Sequence, residues 1–328
     1  MNEQEFRSGF VSLIGRPNVG KSTLLNRLAG IRLAITSPKA QTTRQVVRAV
    51  LDDESSQIIF LDTPGLHKPR TRLGEYMMHV ATKALADGDV ILLLIDAEAA
   101  AGSKSGPGVP HIEAGILEKA AHFNKPVILI MNKVDKIAKE ALLPLLQAYG
   151  AAYDFAALIP VSARTGDGTE ELIAIIKKLL PVGPRYFPID SVTDQTERDL
   201  AAEMVREQIL LLTSEEIPHG TAVEIESFEE MADGVVLGDD HEALTLGVSG
   251  AVRDLVRISA VIYCDKDSHK GILIGHQGGM LKRIGSGARQ QIELMLDCHT
   301  YLELHVKVRE DWRNRSGILR NLGYEIHS

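Results

Sequence analysis

The chain has 328 residues, a formal net charge of −8, and hydrophobic and charged fractions of 45% and 24%. Those fractions describe a globular chain long enough for two domains and exclude a disordered polymer. Two cysteines, Cys264 and Cys298, lack metal-ligand spacing, which excludes a disulfide scaffold and suits a reducing cytosol. The sequence has no run of 18 apolar residues, and its acidic start, Met-Asn-Glu-Gln-Glu, is unlike a secretory signal. An acidic balance gives nucleic acid no global attraction, so any such binding needs a local patch.

Phe10–Ile14 reads as a short apolar strand and Ser22–Leu28 as a helix. Between them Gly15-Arg16-Pro17-Asn18-Val19-Gly20-Lys21-Ser22-Thr23 fits Gly-x4-Gly-Lys-Ser, a phosphate-binding loop. Its glycines let the backbone wrap a phosphate chain with N–H groups turned inward. Lys21 adds a point charge toward the terminal phosphates, and the Ser22 hydroxyl can ligate Mg²⁺. The helix N-terminus behind the loop favours the same anions. A glycine turn that happens to precede Lys-Ser is the competing reading, and the flanking strand and helix count against it.

Ser37–Arg44 is polar and aperiodic, hence a loop. A threonine there can complete an Mg²⁺ shell beside a γ-phosphate; Thr43 is the choice, with Thr42 close behind. The strand Ile58–Asp62 runs into Asp62-Thr63-Pro64-Gly65. Asp62 would hold Mg²⁺ through water, and Gly65 would offer its N–H to the γ-phosphate. Catalytic work therefore falls to Lys21, Thr43 and Gly65, and metal binding to Ser22, Thr43 and Asp62.

Val90–Asp96, Pro126–Asn132 and Leu158–Val161 are continuous apolar strands, as in a sheet buried on both faces. Helical stretches near 73–86, 112–123 and 170–180 alternate with them. Ala97–Pro110, rich in Ala, Gly, Ser and Pro, is expected as a surface loop. The alternation predicts an α/β fold with a doubly wound, mostly parallel sheet. Every polar motif lies just past a strand's carboxyl end, where such sheets bind ligands.

Asn132-Lys133-Val134-Asp135 selects the base. The Asp135 carboxylate can accept from N1–H and the N2 amine of guanine, whereas adenine presents a lone pair at N1 and no such amine. A site built on those bonds rejects the analogue by roughly 10⁴. Asn132 braces the loops, the Lys133 stem lies along the base, and Ser162-Ala163 closes the nucleotide set. An ATP-driven enzyme is the rival on this point.

These motifs, in this order, resemble the translation-factor-related GTPases, and nearly the whole chain resembles the Era family of bacterial ribosome-assembly GTPases. The likeness continues through Pro181-Val-Gly-Pro184 and Pro188, read as a stiff linker within 182–193. Thr193-Asp-Gln-Thr-Glu-Arg198 then opens a helix, with Asp194 and Glu197 at capping-box spacing. The resemblance implies a GTP- and GDP-binding G domain over 1–181 and a smaller α+β KH-type RNA-binding domain over 194–328. It also implies the 3′ end of 16S ribosomal RNA as target, the pre-30S subunit as partner, and a cytoplasmic monomer with loose peripheral membrane contact. Asn18 stands where potassium-dependent GTPases of this group hold their cation, so K⁺ is expected as activator. Leu66 occupies the place of a water-orienting glutamine, so intrinsic turnover is expected to be slow.

In the second half, Thr221–Phe228 and Val256–Cys264 alternate as strands, a helix runs from about Met280 to Leu296, and Tyr301–Val308 is a last strand. Gly275-His276-Gln277-Gly278 is a Gly-x-x-Gly turn entering that helix, the backbone clamp of a KH domain. From Ser268 to Gln291 there are four cations, Lys270, Lys282, Arg283 and Arg289, and no carboxylate, which answers the acidic global charge. The alternative is a purely structural turn, in which case the second domain is a protein-docking adaptor. Trp312 can stack on a base, although packing is the commoner role of a lone tryptophan beside apolar strands. Glu229–Leu255 is long for a connection between two such strands; an extra hairpin facing away from RNA is expected there, with no role assigned.

Overall fold

The structure is a computed structural model that describes residues 5–37, 39, 42–66, 68–102, 109–232, 235–238, 243–245 and 253–324. Contacts divide the chain into two units, Met1–Ala34, Thr43–Lys68 and Met77–Thr193 in one, and Ile35–Thr42, Pro69–Tyr76 and Asp194–Ser328 in the other. Two short segments that chain order assigns to 1–181 are thus grouped with the second unit.

In chain order the first part of the molecule runs β1 (Arg7–Gly15), α1 (Lys21–Ala29), β2 (Val47–Asp52), β3 (Ser56–Asp62), α2 (Arg72–Asp87), β4 (Val90–Asp96), α3 (Ala97–Ala101), α4 (His111–His122), β5 (Val127–Asn132), α5 (Lys139–Ala152), β6 (Ala157–Val161) and α6 (Thr169–Leu179). The sheet order is β2-β3-β1-β4-β5-β6, antiparallel between β2 and β3 and parallel elsewhere. This is the expected doubly wound α/β sheet. Its central strands are apolar on both faces: Ile91, Leu92, Leu93 and Leu94 are all completely buried. Register levels the strand ends, with Leu13 opposite Asp62, Gly15 opposite Leu94, and Asp96 opposite Asn132, which is itself opposite Val161. Five carboxyl ends therefore open on one edge of the sheet.

One expectation for this unit changes. Ala97–Ala101 is helix α3 and not a loop, because alanine is the best helix former and Asp96 caps it, accepting from the N–H groups of Glu98 and Ala99 at 3.0 and 3.2 Å. Of the remainder of that stretch, 103–108 lie outside the described residues. The stiff segment from Pro181 is bonded to β1 and β3. The Ser8 amide donates to Pro181, the Ser8 hydroxyl to Pro184, and the buried Gln57 carboxamide bonds the backbone of both Tyr186 and Phe187.

β7 (Ser191–Thr196) leads into α7 (Glu197–Leu212), followed by β8 (Thr221–Ala232), β9 (Val235–Gly238), β10 (Ala243–Thr245), β11 (Leu255–Cys264), α8 (Asp267–Ile274), α9 (Gly279–Leu296), β12 (His299–Val308) and α10 (Ser316–Asn321). The capping box of α7 sits two residues beyond the expected pair. Asp194 is still in the extended β7, and Thr196 caps Asp199, whose carboxylate returns to the Thr196 N–H. The sheet order is β12-β11-β8-β9, with β11 parallel to β12 and antiparallel to β8. α9 buries Ile284, Ala288, Ile292 and Leu296, a four-residue stripe that packs with Ile258 and Ile262 of β11 and Val205 and Ile209 of α7.

Helix α8 is an element the sequence reading did not mark. The expected extra hairpin begins with β8 and β9, which pair antiparallel; 233–234, 239–242 and 246–252 lie outside the described residues. Trp312 is fully buried and its indole N–H donates to the Gly220 carbonyl at 2.9 Å, so it packs and does not present a face to a base. Among the described residues no helix is long and apolar enough to cross a membrane.

Candidate functional site

The phosphate loop connects β1 to α1. Gly20 has φ +101°, and a Cβ there would come within 2.2 Å of the Asn132 amide nitrogen, so a side chain is excluded by both backbone and space. Lys21 is almost fully buried, and its ammonium donates to the carbonyls of Gly15 and Arg16 at 3.2 and 3.1 Å. Burial lowers its pKa, while the charge of Asp62 opposes that. Val19 is buried, Asn18 is exposed at the loop's apex with φ +64°, and Gly65 lies against Pro17. Thr63 anchors its motif by donating to the Leu13 carbonyl at 2.7 Å.

Ser22, Thr43 and Asp62 meet on hydroxyl and carboxylate oxygens alone. Ser22 Oγ donates to Asp62 Oδ2 at 2.6 Å, Thr43 Oγ1 donates to the same oxygen at 3.0 Å, and the two hydroxyls are 3.1 Å apart. Of the two candidate threonines, Thr43 is the one whose hydroxyl reaches this cluster. Asp62 is fully buried; burial pushes its carboxyl up, against the pull of Lys21 and the two hydroxyls. Its other oxygen, Oδ1, is buried without a hydrogen-bond partner among the described residues. A buried, unpaired carboxylate oxygen beside two hydroxyls is a donor set of the kind hard divalent cations take.

At the next strand ends, Asn132 is 1% exposed and uses both ends of its amide. Nδ2 donates to the Val19 carbonyl at 2.7 Å, and Oδ1 accepts from the Ala163 N–H at 3.0 Å. One side chain thus ties the phosphate loop to the Ser162-Ala163 loop. Ser162 Oγ donates to Asp135 Oδ1 at 2.7 Å, which orients that carboxylate. Lys133 adopts φ +66°, and its ammonium pairs with Asp96 Oδ2 at 2.5 Å. Asp96 joins the site through this pair, and its place at a strand's carboxyl end is the sequence signal for it.

In the second unit Gly275 has φ +72°, and an added Cβ would meet Met280 Cβ at 2.7 Å. His276 and Gln277 are exposed at the apex of a single 3-10 turn, followed by Gly278 at φ +77° and the first residue of α9. Lys282, Arg283 and Arg289 are exposed on α9, and Lys270 on α8 is half-buried. The turn therefore offers backbone and an eighteen-residue helix's N-terminus to an anionic strand, with cations alongside.

Comparison with known proteins covers both units. Residues 10–133 match the family described as 50S ribosome-binding GTPase, and residues 216–313 match the KH domain. The chain is 45% identical to GTPase Era of Ruminiclostridium cellulolyticum over 98% of its own length and 99% of that protein's. With GTPase Era of Alkaliphilus metalliredigens it shares 46% identity over 98% and 99% of the two lengths. Two solved structures superpose with a TM-score of 0.86 at 39% identity, covering 98% of this chain and all of theirs. One is an Era in complex with MgGDPNP and nucleotides 1506–1542 of 16S ribosomal RNA, and the other is a single-residue variant of Aquifex aeolicus Era bound to GDP and AlF₄⁻.

Proposed function

Because the chain belongs to the Era family of GTPases, we propose that it is a guanine-nucleotide switch in 30S subunit assembly, acting on the 3′ end of 16S ribosomal RNA. The observation that carries this reading is the presence in one chain of two sites of opposite design. The first is a buried oxygen cluster beside a phosphate loop, and the second is an exposed Gly-x-x-Gly turn flanked by cations.

In the first site Lys21 is set to hold the β- and γ-phosphates, and the Gly65 N–H to bind the γ-phosphate. Asp135, oriented by Ser162, reads guanine. Ser22, Thr43 and Asp62 fit Mg²⁺, which when bound neutralises charge developing on the phosphates. Asn18, with an amide carbonyl at the exposed apex, is the residue for K⁺. Leu66 lies partly buried against the apolar core and carries no group to polarise water, so turnover without a stimulating cation is slow. A cytoplasmic location suits this function.

Filter binding with the 3′-terminal segment of 16S RNA tests the reading, using wild type and the double variant His276→Asp/Gln277→Asp in GTP and GDP. Two carboxylates at the clamp place like charge against RNA phosphate, and affinity should fall about 10- to 100-fold. GTP binding should persist, and GTP-bound wild type should bind more tightly than GDP-bound. Equal RNA binding by the double variant overturns the clamp and leaves a protein-docking adaptor in its place. Hydrolysis rates in K⁺ and Na⁺ test Asn18, and equal rates remove it as a cation ligand.

A further inference from the structure

The Arg16 side chain and Glu113 have no part in the nucleotide contacts described above. The structure joins them. Glu113, in the first turn of α4, is 4% exposed, a rare state for a carboxylate. Arg16 Nη2 donates to its Oε2 at 2.8 Å, and Arg16 Nε lies 2.7 Å from its Oε1. Tyr149 of α5, which lines the same cavity as Glu113, is 2% exposed, and its hydroxyl is pushed up to about 12 by burial and then by the Glu113 charge. The carboxylate is thus paired with a guanidinium and close enough to the Tyr149 hydroxyl to raise its pKa.

Stability alone gives little reason for this arrangement, because Glu113 is buried while the Arg16 side chain is 41% exposed, and an ion pair half open to solvent is worth little. What the pair does is local. The Arg16 carbonyl and the neighbouring Gly15 carbonyl are the two acceptors of the Lys21 ammonium. The residue that Glu113 grips therefore supplies half of what holds the phosphate-loop lysine. The loop also carries Asn18 at φ +64°, a left-handed conformation that a non-glycine residue holds at a cost. The Lys133–Asp96 pair lines the same cavity of about 270 Å³ as Arg16, Glu113 and Tyr149, so the loop and the base-side lysine are both anchored from its walls.

We infer that Glu113 is a positioning residue for nucleotide binding: through Arg16 it pre-orders the phosphate loop and Lys21, and so sets how long a guanine nucleotide stays bound. The inference rests on the nucleotide-site reading above. Ordering before binding lowers the entropic cost of association and slows release.

The test is stopped-flow release of a fluorescent GDP from the full chain, read beside thermal unfolding without nucleotide. Glu113→Gln keeps the shape and removes the charge, and it should release GDP about tenfold faster. Arg16→Ala should do the same from a side chain that is partly exposed, so it carries the test if the buried variant folds poorly. Arg16→Lys, which restores a cation opposite Glu113, should recover most of the loss. Release rates unchanged in Glu113→Gln and Arg16→Ala, whatever happens to the melting temperature, reduce the pair to a structural contact and overturn the inference. A wild-type chain that binds no guanine nucleotide would instead sink the site itself.

Discussion

The two sites of this molecule are built in opposite ways. The nucleotide site is convergent: Gly15, Asp62, Asp96, Asn132 and Ser162 come from or just beyond five strand ends, and its polar groups are mostly buried and bonded to one another. The Gly-x-x-Gly turn is one continuous run, Gly275–Gly278, whose two central side chains touch solvent. The lesson is about separability. In the convergent site a side chain that binds ligand also holds a neighbouring loop, so binding and stability change together. In the turn, the side chains can change chemistry freely, and only the glycine backbone is tied to the fold.

The largest effect should come from Asp135→Asn. An amide at this position offers a donor where guanine needs an acceptor, and GTP affinity should fall on the order of 10⁴ while xanthosine nucleotides gain. Titration with the two nucleotides decides it, and unchanged GTP affinity would remove the base assignment. Asn132→Ala probes the coupling of binding to stability. It strands the Val19 carbonyl and the Ala163 N–H in the interior, at about 1–3 kcal/mol for each group left unpaired. Urea unfolding of the nucleotide-free protein should show the loss; a variant that weakens GTP binding at full stability would contradict the convergent design.

Gly275→Val is the counterpart in the turn. The left-handed φ and the approach of Met280 should cost about 1–3 kcal/mol in the second unit. His276→Asp/Gln277→Asp should leave stability within about 0.5 kcal/mol, as exposed substitutions do. Similar melting shifts in the two variants would erase the distinction between backbone and side chain.

The smallest effect is alkaline. Tyr149 is held protonated up to about 12, above its usual value near 10, by burial and then by Glu113. Its folded-state pKa is raised, so its share of stability is intact below pH 10 and is lost as pH rises through 12. Tyr149→Phe should lessen the alkaline destabilisation of the first unit, measured by unfolding at pH 8 and pH 11; an identical pH dependence would dismiss this contribution.

What the sequence determined by itself follows from locality. The phosphate loop, Asp62–Gly65, Asn132–Asp135 and Gly275–Gly278 are each short runs in which residue type and order already specify backbone conformation and donor chemistry. The α/β class followed from uninterrupted apolar strands alternating with helices, since a strand buried on both faces needs no polar alternation. Tertiary structure decided whatever depends on two distant residues meeting. The Thr43 hydroxyl reaches Asp62, nineteen positions away. Asp96 gained Lys133 and Arg16 gained Glu113 across 37 and 97 positions, distances over which no periodicity or spacing carries information. The carbonyls and amides of the stiff stretch from Pro181 are bound by Ser8 and Gln57, partners more than a hundred positions away. Sequence specifies what each local run can do, and packing brings distant partners close enough to do it.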